Sequence, residues 1–119
     1  MREPGPDHPI SIVPAGATVS VHFGGMEIAR SERALRMRET TMAPVLYVPR
    51  EDVRMDFLSR TEAASHCPYK GDASYYSITV AGLVARDAVW SYENPYPAMA
   101  AIGGYLAFYP DRVDAIEVS

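Results

Sequence analysis

The chain has 119 residues, 48% of them hydrophobic and 22% charged, with a formal net charge of -4. That length suits one hydrophobic core, and the acidic balance argues against a surface built to grip nucleic acid, which needs clustered Lys and Arg to displace counterions. A lone Cys67 excludes an internal disulfide, and one Cys with three His scattered along the chain makes a poor source for a structural zinc cage, so the expectation is a metal-free protein of a reducing, cytoplasmic setting.

Residues 1–9 hold Pro4, Pro6 and Pro9, which remove backbone donors and fix φ. The first 16 residues are therefore expected to be a flexible arm ahead of a single β-rich domain over 17–119. The alternation of Val19, Val21 and Phe23, the Gly24-Gly25 pair, then Met26 and Ile28 predict a hairpin. Its expected register sets Phe23 opposite Met26, His22 opposite Glu27 and Val21 opposite Ile28.

Leu35 and Met37 alternating with Arg36 and Arg38 predict a half-buried strand, and Val45–Val48 a short apolar one ended by Pro49. A helical turn is expected at 49–53, with acids near its start. The region around Phe57-Leu58-Ser59 has no clear period. Tyr76, Ile78 and Val80 alternate against Tyr75, Ser77 and Thr79, turn at Ala81-Gly82 and continue from Leu83 to Tyr92, predicting a second hairpin. A short helix over 98–102, a strand through Leu106 and Phe108, and a last strand over 113–118 complete the reading. About seven or eight closely spaced strands and two short helical turns imply a mainly β, antiparallel domain. No apolar run of about 18 residues occurs, so no membrane span is expected.

Chemistry-bearing residues concentrate at His66-Cys67-Pro68-Tyr69-Lys70-Gly71. Lys70, with Arg50, would supply positive charge to a phosphate or carboxylate, and a cationic neighbour would raise the thiolate fraction of Cys67. Cys67 and Lys70 are thus the catalytic candidates, set against a packed thiol and a solvated turn lysine. Tyrosine is abundant, eight residues in all, and with Trp90 it would either line a pocket for a flat ligand or serve as ordinary strand residues. Glu51, Asp52, Glu62 and Asp72 show no spacing that forces two carboxylates together. Phosphate-loop, dinucleotide-fold, zinc-protease and serine-hydrolase motifs are all absent.

Four blocks in order carry a family resemblance: Tyr47-x-Pro49-x-Glu51-Asp52-Val53, Cys67-Pro68-Tyr69-Lys70-Gly71-x-Ala73-x-Tyr75-Tyr76, Trp90-Ser91-Tyr92-x-x-Pro95, and Ile102 to Arg112 with Phe108-Tyr109-Pro110-Asp111-Arg112. Over about residues 17–118 the chain resembles domain of unknown function family 427. The resemblance implies a small β domain of the Mss4-like or β-tent type, in a family that also carries a nucleotidyltransferase label. The Gly-Ser and paired-Asp pattern of nucleotidyltransferases and the paired Cys-x-x-Cys zinc sites of β-tent relatives are both missing here. The leading expectation is a domain that binds a small anionic, flat or nucleotide-like molecule through Arg50, Cys67, Tyr69, Lys70, Tyr75 and Trp90, its cofactor and any catalysis unspecified. The alternative is an interaction module or homodimer using a tyrosine-rich face.

Overall fold

Two tight turns organise the chain. In the computed structural model, which describes residues 1–119, Gly24 and Gly25 have φ of 61° and 77°, and Ala81 and Gly82 have φ of 49° and 84°. Positive φ at both central residues is the geometry whose twist matches that of the flanking strands. The first turn joins β2 (Val19–Phe23) to β3 (Met26–Ser31), and the second joins β7 (Gly71–Val80) to β8 (Leu83–Ser91). Gly24 also lies where a Cβ would meet the Val80 side chain at 3.1 Å, so the two hairpins touch at their tips.

The remaining strands are β1 (Ile10–Pro14), β4 (Leu35–Glu39), β5 (Val45–Tyr47), β6 (Leu58–Cys67), β9 (Ala107–Phe108) and β10 (Ala115–Val118). They form three antiparallel sheets, ordered β1-β4-β5, β10-β2-β3 and β6-β7-β8-β9. Short 3₁₀ turns occupy Arg50–Asp52, Met55–Phe57 and Pro97–Ile102. Single bridges stitch the sheets together, Val48 to Leu106 and Ala29 to Val53. The protein is mainly β, as composition and alternation imply. No helix is long and apolar enough to cross a membrane.

Several local expectations change. Ile10–Pro14, assigned to the arm, is a strand paired with β4 from Ile10–Glu39 to Pro14–Leu35. The arm is held further by a 2.7 Å bond from the Arg2 backbone N–H to the Pro68 carbonyl. In the first hairpin Phe23 does face Met26 and His22 faces Glu27, but Val21 faces Ala29 rather than Ile28. A bulge leaves Ile28 unpaired, and the fully buried Ile28 side chain goes into the core. The region without a readable period holds the ten-residue β6. Most of its residues are exposed on both faces, so no apolar alternation marks it.

Burial divides into two clusters. The larger gathers Val19, Val21, Ile28, Ile78, Val89 and Leu106 where the sheets meet. The smaller gathers Met37, Tyr47, Ala73, Tyr92, Met99, Ile102 and Ala107. Strand alternation assigns neighbours in β7 to different clusters, Tyr76 to the larger and Tyr75 to the rim of the smaller.

Candidate functional site

The His66–Gly71 segment is the hairpin that joins β6 to β7, with Cys67 opposite Gly71. Gly71 has φ of +108°, which only glycine adopts without strain, and the chain passes close to Asn94–Tyr96 there. The Tyr96 N–H donates to the Lys70 carbonyl at 3.0 Å, which fixes the turn against the following loop. This geometry drives the Lys70 side chain inward. Lys70 is 8% exposed, although lysine is almost never buried without a partner.

The partner is Glu39, at the end of β4. Lys70 Nζ donates to Glu39 Oε1, and His8 Nε2 bonds Glu39 Oε2 at 2.7 Å. The His8 ring stacks flat on Tyr69, with centroids 3.9 Å apart. Burial pushes the Glu39 pKa up, but the bonds and charges of Lys70 and His8 outweigh it, so the carboxyl titrates below its ordinary value and is ionised at neutral pH.

This ion pair forms part of the wall of a pocket of about 260 Å³, lined by Tyr47, Tyr75, Trp90, Tyr92 and Tyr109 and by Met37, Met42, Ala43 and Val45. Tyr75 and Trp90 are cross-strand partners on β7 and β8. Trp90 packs against Tyr109 with centroids 4.5 Å apart, and its indole N–H donates to Tyr47 Oη at 3.4 Å. Ser65 Oγ and Tyr75 Oη are 2.8 Å apart. Burial raises the Tyr47 phenol to about 12 and raises Tyr92 further, so both rings stay neutral in the physiological range. Burial and the neighbouring Tyr75 phenol raise Tyr109 as well.

Of the six residues named from sequence, Lys70, Tyr75 and Trp90 line this pocket. Cys67 stands beside it, half-buried against the smaller cluster, with Sγ 4.0 Å from Lys70 Nζ. Tyr69 does not line it; its ring stacks on His8. Arg50 lies elsewhere, bound to Glu93 at 3.1 Å and packed over the Tyr76 ring. Sequence reasoning missed Glu39 and His8. A signal for Glu39 existed, because it shares the strand face of Leu35 and Met37, an unusual place for a carboxylate. The acids weighed as bases serve elsewhere: Asp52 accepts from Ser31 Oγ at 2.6 Å and from Arg33 at 3.0 Å.

Chemically, the site offers one ammonium, one carboxylate and a set of neutral phenols on a largely apolar wall. No group of three His, Cys, Asp or Glu gathers in a metal-binding arrangement. The match to the family described as a domain of unknown function, DUF427, extends over residues 11–119, and the chain belongs to that family. No curated protein matches it.

Proposed function

We propose that this domain binds a small, singly charged organic anion, with the anionic oxygen at Lys70 and a flat body against Tyr75, Trp90 and Tyr109. The observation that carries the reading is the buried Lys70–Glu39 pair in the wall of an aromatic pocket. Taking two charges out of water costs several kcal/mol per ion, and apolar residues of similar size hold a core at least as well. A charge kept in a pocket wall at that cost has a natural use as a ligand anchor.

The charge count shapes the choice. Lys70 is the only cation lining the pocket, and Glu39 already neutralises it. A triphosphate would bring several negative charges to a site with no net positive charge and would be repelled by Glu39. A monocarboxylate sharing the ammonium's remaining donor is the better match. Of the eight tyrosines, Tyr47, Tyr76 and Tyr92 are buried and the other five are half-buried, three of the set thus being withdrawn from any exposed interface.

The test is calorimetric and thermal titration of the wild type and of Lys70→Met/Glu39→Gln with benzoate and with ATP. Benzoate at about 100 times its Kd should add about 2.7 kcal/mol, raising the midpoint by several degrees. The double variant should lose that response, and ATP should give none. Binding of ATP in preference to benzoate, or benzoate binding unaffected by the double substitution, would remove the reading.

A further inference from the structure

A second concavity adjoins the first. It has a volume of about 430 Å³, and every residue that lines it is apolar, including Val19, Leu46, Phe108, Ile116 and Val118. Ala43, Val45 and Trp90 belong to the walls of both cavities. The two are therefore neighbours across one short partition made by Ala43, by Val45 of β5 and by Trp90 of β8. One holds the only charges, and the other holds none.

The rims point the same way. Met42, at the polar pocket, is 58% exposed, and Val118, at the apolar one, is 57% exposed. An apolar concavity open to water gains free energy when hydrocarbon fills it, and a cationic group next to it fixes the orientation of whatever fills it.

We infer that the ligand is an amphiphilic carboxylic acid: its carboxylate meets Lys70, and its aliphatic tail passes Trp90 into the cavity under Val118 and Leu46. The inference rests on the small-anion reading above and extends it by naming the class of the ligand's other end. The occupant follows from the charge layout, since a carboxylate complements Lys70 and a saturated chain complements walls with no charged side chain, where the one polar group, the Trp90 indole N–H, is already bonded to Tyr47. Trp90, the only tryptophan, borders both cavities and reports on both.

The experiment is a titration of the full chain with sodium butyrate, hexanoate and octanoate, followed by Trp90 fluorescence and by calorimetry. Each methylene moved from water into an apolar site contributes about 0.8 kcal/mol, close to fourfold in affinity. With incomplete burial of the chain, octanoate should still bind at least tenfold more tightly than butyrate. Leu46→Gln should lower octanoate affinity several-fold more than butyrate affinity and so erase most of that gain, and Val118→Gln, at an exposed position, serves if the first variant does not fold. Lys70→Met/Glu39→Gln should weaken all three acids together.

Equal affinity for butyrate and octanoate in the wild type would overturn the tail site and leave the small-anion site standing. Octanoate binding that ignores the Lys70→Met/Glu39→Gln change would place the head elsewhere and overturn both readings. Absence of binding by every acid would also overturn both.

Discussion

Two ion-pair regions flank β7, and they differ in what surrounds them. On the Tyr75 side, Lys70 and Glu39 are nearly enclosed, with His8 as a third member. On the Tyr76 side, Arg50 and Arg60 share Glu93 at 3.1 and 3.0 Å, with all three side chains partly open to water. Both pair a cation with a carboxylate beside a tyrosine. The enclosed pair is held by a desolvated environment in which each member depends on the other, whereas the open network is screened and interchangeable with water. Local composition therefore does not distinguish an enclosed pair from a surface brace; the strand face does.

The largest expected effect breaks the enclosed pair alone. Lys70→Ala strands the Glu39 carboxylate and should cost about 3–5 kcal/mol, whereas Lys70→Met/Glu39→Gln should recover most of that loss. Denaturant unfolding of the two variants checks this, and equal losses would show that the pair is not coupled.

Alkaline titration should come next. The Tyr47 phenol is raised to about 12 from an ordinary value near 10, so folding favours its neutral form. The stability it contributes is complete below about pH 10 and is lost as pH rises towards 12, by roughly 2–3 kcal/mol. Tyr47→Phe should flatten that limb of a stability-against-pH curve, at the cost of the bond from Trp90. An unchanged limb would place the loss at other phenols, with Tyr92→Phe as the next variant.

Acid sharpens the contrast on the other limb. The Glu39 pKa is lowered, so its contribution is present above the ordinary glutamate range and disappears as pH falls through the folded value. Midpoints measured from pH 6 down to pH 2 should fall in the wild type and fall less steeply in Lys70→Met/Glu39→Gln. Parallel curves would assign the acid limb to other carboxylates.

The smallest effect belongs to the open network. Arg60→Gln should change stability by less than about 1 kcal/mol, and 1 M NaCl should erase even that difference. The same salt should leave the Lys70→Ala penalty largely intact. A salt-sensitive Lys70 penalty would mean that water reaches the pair.

How much of this was legible depended on whether the signal was local. The two hairpins were readable because Gly24-Gly25 and Ala81-Gly82 supply positive φ between alternating strands, a requirement met within four or five residues. Strand β6 was not, because Leu58–Cys67 is exposed along most of its length and is held by pairing to β7 rather than by an apolar stripe. The Val21–Ala29 register escaped for a related reason: the bulge is set by the fit of Ile28 into the core, not by the turn.

The candidate site divides in the same way. Lys70, Tyr75 and Trp90 were found because they sit in compact motifs of chemically distinctive residues. Arg50 shares with Lys70 only its charge and its place in those motifs, and in the fold it packs over the Tyr76 ring instead. Glu39 meets Lys70 from 31 residues away in the chain, and His8 meets Glu39 across another 31, at positions whose neighbours in sequence give no hint of either meeting.

By itself the sequence determined the strand-rich class, the hairpin turns, the family and the chemical character of the Cys67–Gly71 loop, since each follows from φ preferences, alternation or short motifs. Only the tertiary structure decided that Lys70 is buried, that Glu39 rather than an external anion already neutralises it, and that an apolar cavity lies beside it. Those are consequences of which distant strands pair and which face each residue presents, and neither is encoded in any local window of the chain.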